Sequence, residues 1–285
     1  MLKQRVITAA IALPLALGIF LYGSSDLLLY VFTICVAFGT YEVASMVAPR
    51  LEGIFKSGVV DSPVDSESPK WVVLCAVLVA CAIFYISARD PEYAGRGMIV
   101  AGMLGSILVG SFLANNNELA FARLTTLLLS IIYGSFPWLA TWELYNMGPG
   151  AKYVMFLIAV VFSGDTGAYF GGKFYGKTKL APRMSPNKTR EGAFFGLLAS
   201  LCAGSLVNLI YSGTLSSWYG VLAASLFGGA FGQMGDLVES TIKRFCQVKD
   251  SGRIFPGHGG FLDRVDGVLF AAPVIWFTFY IFKIG

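Results

Sequence analysis

Apolar stretches broken by short polar connections dominate this chain from end to end. Crossing roughly 30 Å of hydrocarbon takes about 20 mainly apolar residues in a helix. Stretches of that order lie at residues 6–22, 27–46, 71–87, 98–113, 119–142, 152–170, 192–211, 215–234 and 265–284. The pattern predicts an all-α integral membrane protein of about nine transmembrane helices, because a helix satisfies its own backbone polar groups in lipid. Pro137 interrupts the fifth stretch and glycines thin the eighth. The first stretch, preceded by Lys3 and Arg5, has the outline of a signal peptide. It is long for one, and no convincing small-x-small cleavage site follows, so it is read as a retained span.

The polar connections orient the spans. Lys3 and Arg5 place the N-terminus in the cytoplasm. Nine alternating crossings then bring the loops at 171–191 and 235–265, with their flanking residues, to the same side. These segments hold Lys173, Lys177, Lys179, Arg183, Lys188 and Arg190, then Lys243, Arg244, Lys249, Arg253 and Arg264, eleven of the 21 Lys and Arg. The reading is a multi-pass protein of the cytoplasmic (inner) membrane with both loops inside, facing a polar cavity in the C-terminal half. Residues 50–70, rich in Ser, Pro, Asp and Glu, read as a cytoplasmic connection of little structure.

Composition agrees. Charged residues make up 13% of the chain, about half the share of a soluble protein. The net charge of +4 is modest and no basic tract stands apart from the spans, which argues against a nucleic-acid partner. Cys35, Cys75, Cys81, Cys202 and Cys246 form no CxxC pair and read as small buried hydrophobes. Chemistry is sparse before residue 150, where Glu42 and Glu143 sit at span ends and read as interfacial or helix-contact residues. Residues 1–150 are therefore assigned to scaffold or lipid access, and residues 151–285 to catalysis.

Three polar patches lie in the second half. Asp165, within Ser163-Gly164-Asp165-Thr166-Gly167, stands inside the sixth span. A carboxylate at that depth costs about 2.5–3.5 kcal/mol and needs a partner or a wet cavity. The surrounding glycines also suit close helix packing. Next, Gly171 to Thr178 spells the letters of a phosphate-binding P-loop, but a membrane span precedes it and a proline-containing loop follows, where the motif needs a strand and a helix. A basic loop that meets phosphates is the better reading, with a turn at Ser185-Pro186 and Thr189 capping the seventh helix.

The third patch is the densest. Residues 235–245 have helical spacing, with Asp236, Glu239 and Lys243 on one face. Residues 249–267 then combine Lys249, Asp250, Arg264 and the chain's single histidine, His258, with Gly257, Gly259 and Gly260 and the closely spaced Asp263 and Asp266. Glycines there permit backbone amides to converge on an anion. Carboxylates beside such a site suit Mg²⁺, which takes one or two carboxylates and completes its shell with phosphate and water. Zinc is disfavoured because no second histidine or cysteine pair accompanies His258.

Residues 240–266 resemble the C-terminal signature of the phosphatidate cytidylyltransferase (CDP-diacylglycerol synthase) family. Ser240, Lys243-Arg244, Lys249-Asp250, His258-Gly259-Gly260 and Asp263-Arg264-Val265-Asp266 all fall in register. Residues 165–169 and Ser185-Pro186, Lys188-Thr189 and Glu191-Gly192 also look like family elements; Asn187 and Arg190 depart from the common Lys and Trp. The likeness covers residues 160–270. It implies transfer of a cytidylyl group from CTP to phosphatidic acid, giving CDP-diacylglycerol and pyrophosphate with Mg²⁺, and a second metal ion is compatible with the same residues. On that reading Asp236, Asp263 and Asp266 hold metal, with Asp165 assisting. Lys188, Lys243, Arg244, Lys249 and Arg264, with Asp250 beside them, meet CTP or the lipid head group. His258, Gly259 and Gly260, with Ser185 and Thr189, shape the phosphate pocket. Membrane lipids are the natural surroundings, and small-residue faces allow a homodimer.

Two other readings compete. A CDP-alcohol phosphotransferase would carry Asp-Gly followed by spaced Ala-Arg and two further Asp, a pattern absent here. A polytopic transporter with an intramembrane ion site at Asp165 would show repeated halves, whereas the polar residues concentrate at one face of one half.

Overall fold

The computed structural model describes residues 18–19, 22–57, 70–90, 92, 94–112, 114, 116–148, 151–254 and 259–284. These form eight helices and one hairpin: α1 (Ser25–Ser57), α2 (Lys70–Arg89), α3 (Ala94–Phe112), α4 (Asn117–Asn146), α5 (Ala151–Tyr175), β1 (Lys179–Ala181), β2 (Ser185–Thr189), α6 (Arg190–Ile210), α7 (Trp218–Phe245) and α8 (Leu262–Ile284). Seven of the helices are long and apolar enough to cross a membrane; α3 carries a shorter apolar stretch. The protein is thus a helical multi-pass membrane protein. Seven of the nine expected spans fall on these long helices, the one expected at 98–113 falls on the shorter α3, and most of the stretch at 6–22 lies outside the described residues.

Three local expectations need correction. The polar connection expected from residue 50 begins later, because α1 runs on through Pro49 to Ser57. Arg50 and Glu52 are almost fully buried there, and Glu52 pairs with Arg123 at 3.2 Å and Lys56 at 3.4 Å. Residues 58–69 of that connection lie outside the described residues. The loop expected from residue 235 begins later, because residues 235–245, helical as their spacing predicts, are the C-terminal part of α7. The basic loop after α5 is a two-stranded antiparallel hairpin pairing Lys179 with Thr189 and Ala181 with Ser185.

Contacts divide the chain into two units, Met1–Leu139 with Ile242–Asp263, and Ala140–Thr241 with Arg264–Gly285. In the first, α1, α2 and α4 bury Ala44, Val72, Ala76 and Leu127 together. Helix α2 presents Val72, Ala76, Ala80, Phe84 and Ser87, an every-fourth-residue stripe that keeps one face inward. The side chain of Ser24 accepts from Leu27 N–H, and that of Asn116 from Leu119 N–H, each near the start of its helix.

In the second unit, α5, α7 and α8 enclose Phe156, Leu157, Val160, Val221, Ala271, Ile275 and Phe279. Helix α6 lies against α5 along Gly192, Gly196, Ser200, Gly204 and Asn208, all buried. A side chain at Gly196 would stand 2.8 Å from the Gly164 carbonyl, and one at Gly167 would stand 2.9 Å from the Phe195 carbonyl. Close backbone approach of this kind is what small residues provide in lipid. Ser200 Oγ donates across the seam to the Val160 carbonyl at 2.9 Å, and Gln233 of α7 donates to Ala193 O at 3.1 Å. The packing expected of the glycines around Asp165 is therefore present.

Gly167→Val should overpack this seam, at a cost of about 1–3 kcal/mol, and lower the thermal unfolding midpoint in detergent. Gly105→Ala, where an added methyl meets nothing within 4 Å, should leave the midpoint unchanged or raise it. Equal midpoints for Gly167→Val and the unsubstituted protein would contradict the seam.

Candidate functional site

In the second unit three helices each bring one carboxylate to a common electrostatic neighbourhood. Asp165 of α5 interacts with the charges of Asp266 on α8, Asp236 on α7 and Lys188 on β2. Its neighbour Gly164 is buried in the α5–α6 seam while Asp165 itself is exposed, so the seam turns the carboxylate outward. Gly235 sets the spacing of the other two helices: a side chain there would stand 2.6 Å from the Asp266 carbonyl and 2.9 Å from Phe270 Cβ. That contact places Asp236 and Asp266 next to the same α7–α8 crossing.

Lys188 reaches this group from the hairpin. Its Nζ lies 2.6 Å from Asp236 Oδ2, with the lysine side chain 26% and the aspartate 36% exposed. A cation is thus already drawn to Asp236 at a place open to solvent. The hairpin is held in turn by Glu191, whose carboxylate accepts the backbone N–H of Lys177 at 3.0 Å and of Thr178 at 3.1 Å. Those two amides belong to the P-loop-like letters, and here they serve the protein's own carboxylate. Thr189 is the N-cap of α6, its Oγ1 accepting from Gly192 N–H at 3.1 Å. Ser185 pairs with Ala181 at the far end of the hairpin.

The first unit contains the other well-defined cluster. Asp263 Oδ1 meets Lys243 Nζ at 2.5 Å. Its Oδ2 accepts the backbone N–H of Ser251 at 2.9 Å and of Gly260 at 2.8 Å. Gly259 adopts φ +81°, a conformation glycine reaches without strain. Backbone amides do converge on an anion here, and the anion is Asp263. Lys249 and Asp250 are exposed beside this cluster, and His258 lies outside the described residues. Arg244 is exposed near the end of α7, while Arg264, exposed on α8, falls in the second unit.

Glu42 is the residue whose importance the sequence reading passed over. It is 1% exposed on α1, and its carboxylate accepts from Phe261 N–H at 2.8 Å, Leu262 N–H at 2.9 Å and Ser251 Oγ–H at 2.8 Å. The expectation of a helix-contact residue fits its burial. Nearby, Arg50 Nε donates to the Phe245 carbonyl at 2.9 Å, satisfying one of the last carbonyls of α7. All five cysteines are free thiols; burial pushes the Cys246 thiol up to about 11, with Arg50 pulling the other way.

Among the described residues no three His, Cys, Asp or Glu side chains are gathered tightly enough to hold a metal ion by themselves. Mg²⁺ does not require that, since substrate phosphates and water commonly supply most of its octahedron. An all-oxygen set drawn from Asp165, Asp236 and Asp266, already attracting an ammonium at Asp236, fits a hard divalent cation carried with a polyphosphate.

The chain is similar to known proteins along most of its length. The model of the cytidylyltransferase family matches residues 3–282. The phosphatidate cytidylyltransferase of Staphylococcus epidermidis strain RP62A is 33% identical over 279 residues, covering 96% of this chain and 97% of that protein. The protein of the same name from Staphylococcus aureus strain COL is 33% identical over 280 residues, with 96% and 97% covered. That of Bacillus subtilis strain 168 is 40% identical over 167 residues, 59% of this chain and 60% of that protein. The likeness extends well beyond residues 160–270 into the N-terminal half. The chain belongs to the cytidylyltransferase family.

Proposed function

We propose that this protein transfers a cytidylyl group from CTP to phosphatidic acid, forming CDP-diacylglycerol and pyrophosphate for phospholipid synthesis. The observation that carries the reading is the meeting of Asp165, Asp236 and Asp266 with Lys188 in a membrane protein of this family. In the reaction an oxygen of the phosphatidate phosphate attacks the α-phosphorus of CTP. A bond forms between them as the bond to the departing pyrophosphate breaks. The attacking oxygen is ionised near neutral pH, so no strong base is required. The obstacle is repulsion between two polyanions, and charge placement is the means of lowering it.

Asp236 and Asp266, with Asp165, are the residues proposed to hold Mg²⁺, which would neutralise phosphate charge and align the reacting groups. Lys188 is proposed to exchange Asp236 for a substrate phosphate. Lys243, Arg244, Lys249 and Arg264 are proposed to meet the remaining phosphate charge. Asp263, expected from the sequence to hold metal alongside Asp236 and Asp266, is proposed instead to organise Ser251, Gly260 and Lys243, which bond both of its oxygens. The alternative of an ion site at Asp165 in a transporter gains less support, because Asp165 shares its electrostatic neighbourhood with two further carboxylates and a lysine.

Orientation is part of the proposal. Two span-length helices, α6 and α7, lie between the hairpin and the segment before α8 in the sequence, and two crossings would return the chain to one side. Positive charge on both connections assigns that side to the cytoplasm.

Purified protein with labelled CTP, phosphatidic acid and Mg²⁺ should release pyrophosphate only when the lipid is present; no release in several detergents would contradict the reaction. Asp236→Asn and Asp266→Asn should each lower turnover by about 100-fold or more with the thermal midpoint retained. Near-normal rates in either would remove that residue from the metal group. A cysteine placed at Ser185 in a cysteine-free background should react with an impermeant maleimide only from the cytoplasmic side, and labelling from the opposite side alone would reverse the orientation.

A further inference from the structure

Every group named in the proposed reaction comes from the second half of the chain, yet the segment before α8 is fastened to a residue of α1. Glu42 accepts from three donors: the N–H groups of Phe261 and Leu262 and the hydroxyl of Ser251. The segment lies flush on this carboxylate. A side chain at Gly252 would collide with Glu42 Oε1, and one at Gly260 would stand 2.5 Å from Glu42 Oε2. Two of the donors stand at the start of α8, where a helix leaves its amides unpaired and favours negative charge. A buried carboxylate is tolerated under those conditions and few others.

Ser251 makes the arrangement directional. Its hydroxyl has one proton and two carboxylate neighbours, Glu42 Oε2 at 2.8 Å and Asp263 Oδ2 at 3.1 Å. Glu42 is the nearer acceptor. Asp263 Oδ2 is served instead by the amides of Ser251 and Gly260, which leaves Oδ1 for Lys243. The Asp263 N–H, 3.4 Å away, faces a lone pair of the same hydroxyl. Without Glu42 the Ser251 proton turns to Asp263, and the carboxylate that holds Lys243 acquires a competing donor.

We infer that Glu42 is a positioning residue: from the first helix it fixes the rotamer of Ser251 and the turn into α8, and through them the Asp263–Lys243 pair used by the reaction. The inference rests on the proposed cytidylyl transfer. Glutamine cannot replace glutamate here, since its amide NH₂ would oppose one of the three donors.

The test is a double-substitution cycle on the full-length protein in detergent, with Glu42→Gln, Ser251→Ala and the pair together. Wild-type release of pyrophosphate from CTP and phosphatidic acid is established first, and its absence would count against the reaction and not against Glu42. Glu42→Gln should lower kcat by about 10-fold or more, with the KM for phosphatidic acid changed less than about twofold, a split that general loosening of the fold does not produce. In the Ser251→Ala background the same substitution should cost far less, because the two residues act in series. An unchanged kcat, or losses that simply multiply, would overturn the inference. Where Glu42→Gln does not fold, Ser251→Ala alone decides: reduced kcat with faster hydrogen exchange at the Gly260 amide supports the network, and normal values of both contradict it.

Discussion

A charge carried on a helix that crosses lipid has to be answered, by another charge, by hydrogen-bond donors or by water. This protein uses two kinds of answer, and the difference between them organises the molecule. In the first unit the answers are closed. Glu42 has three protein donors and is sealed from solvent, Asp263 has an ammonium and two amides, and Glu52 has Arg123 and Lys56. In the second unit Asp165 interacts with the charges of Asp236, Asp266 and Lys188, and none of the three carboxylates is buried. Closed sets fix a shape. An open set of like charges is where the proposed reaction would gather a cation and its phosphates.

The small-residue seams make the open set possible. Glycines bring α6 close enough to α5 that Asp165 is turned away from the contact, and Gly235 does the same for Asp236 beside α8. Larger residues at those positions would separate the helices and spread the carboxylates apart. Packing of the small-residue seams thus bears on how the carboxylates are spaced.

Much of this could be read from the chain. Apolar length located the spans, the Thr189 cap followed from residue type, and the glycines around Asp165 announced a close helix contact. Motif spacing marked residues 240–266 and the acids of the second half. What escaped was either long-range or set by local competition. Glu42 bonds to residues 209 to 220 positions away, and no local pattern distinguishes it from a glutamate at a lipid interface. The continuation of α1 through Arg50 and Glu52 was hidden because charged residues look like a connection until their partners, Phe245 O and Arg123, are known. The hairpin at Lys179 to Thr189 was obscured by Pro182 and Pro186, and depends on Glu191 holding its entry. Glycine amides promised an anion site, and spacing could not say that Asp263 itself would fill it.

The central claim is that carboxylates from α5, α7 and α8 form one cation-collecting centre for a nucleotide's phosphates. The most direct measurement is a crystal structure with Mn²⁺ and CTP bound, read by anomalous scattering. The account predicts an anomalous peak within bonding distance of Asp236 or Asp266 and of a CTP phosphate oxygen, with Lys188 moved from Asp236 toward the nucleotide. A peak elsewhere, with these carboxylates far from metal and nucleotide alike, would contradict it.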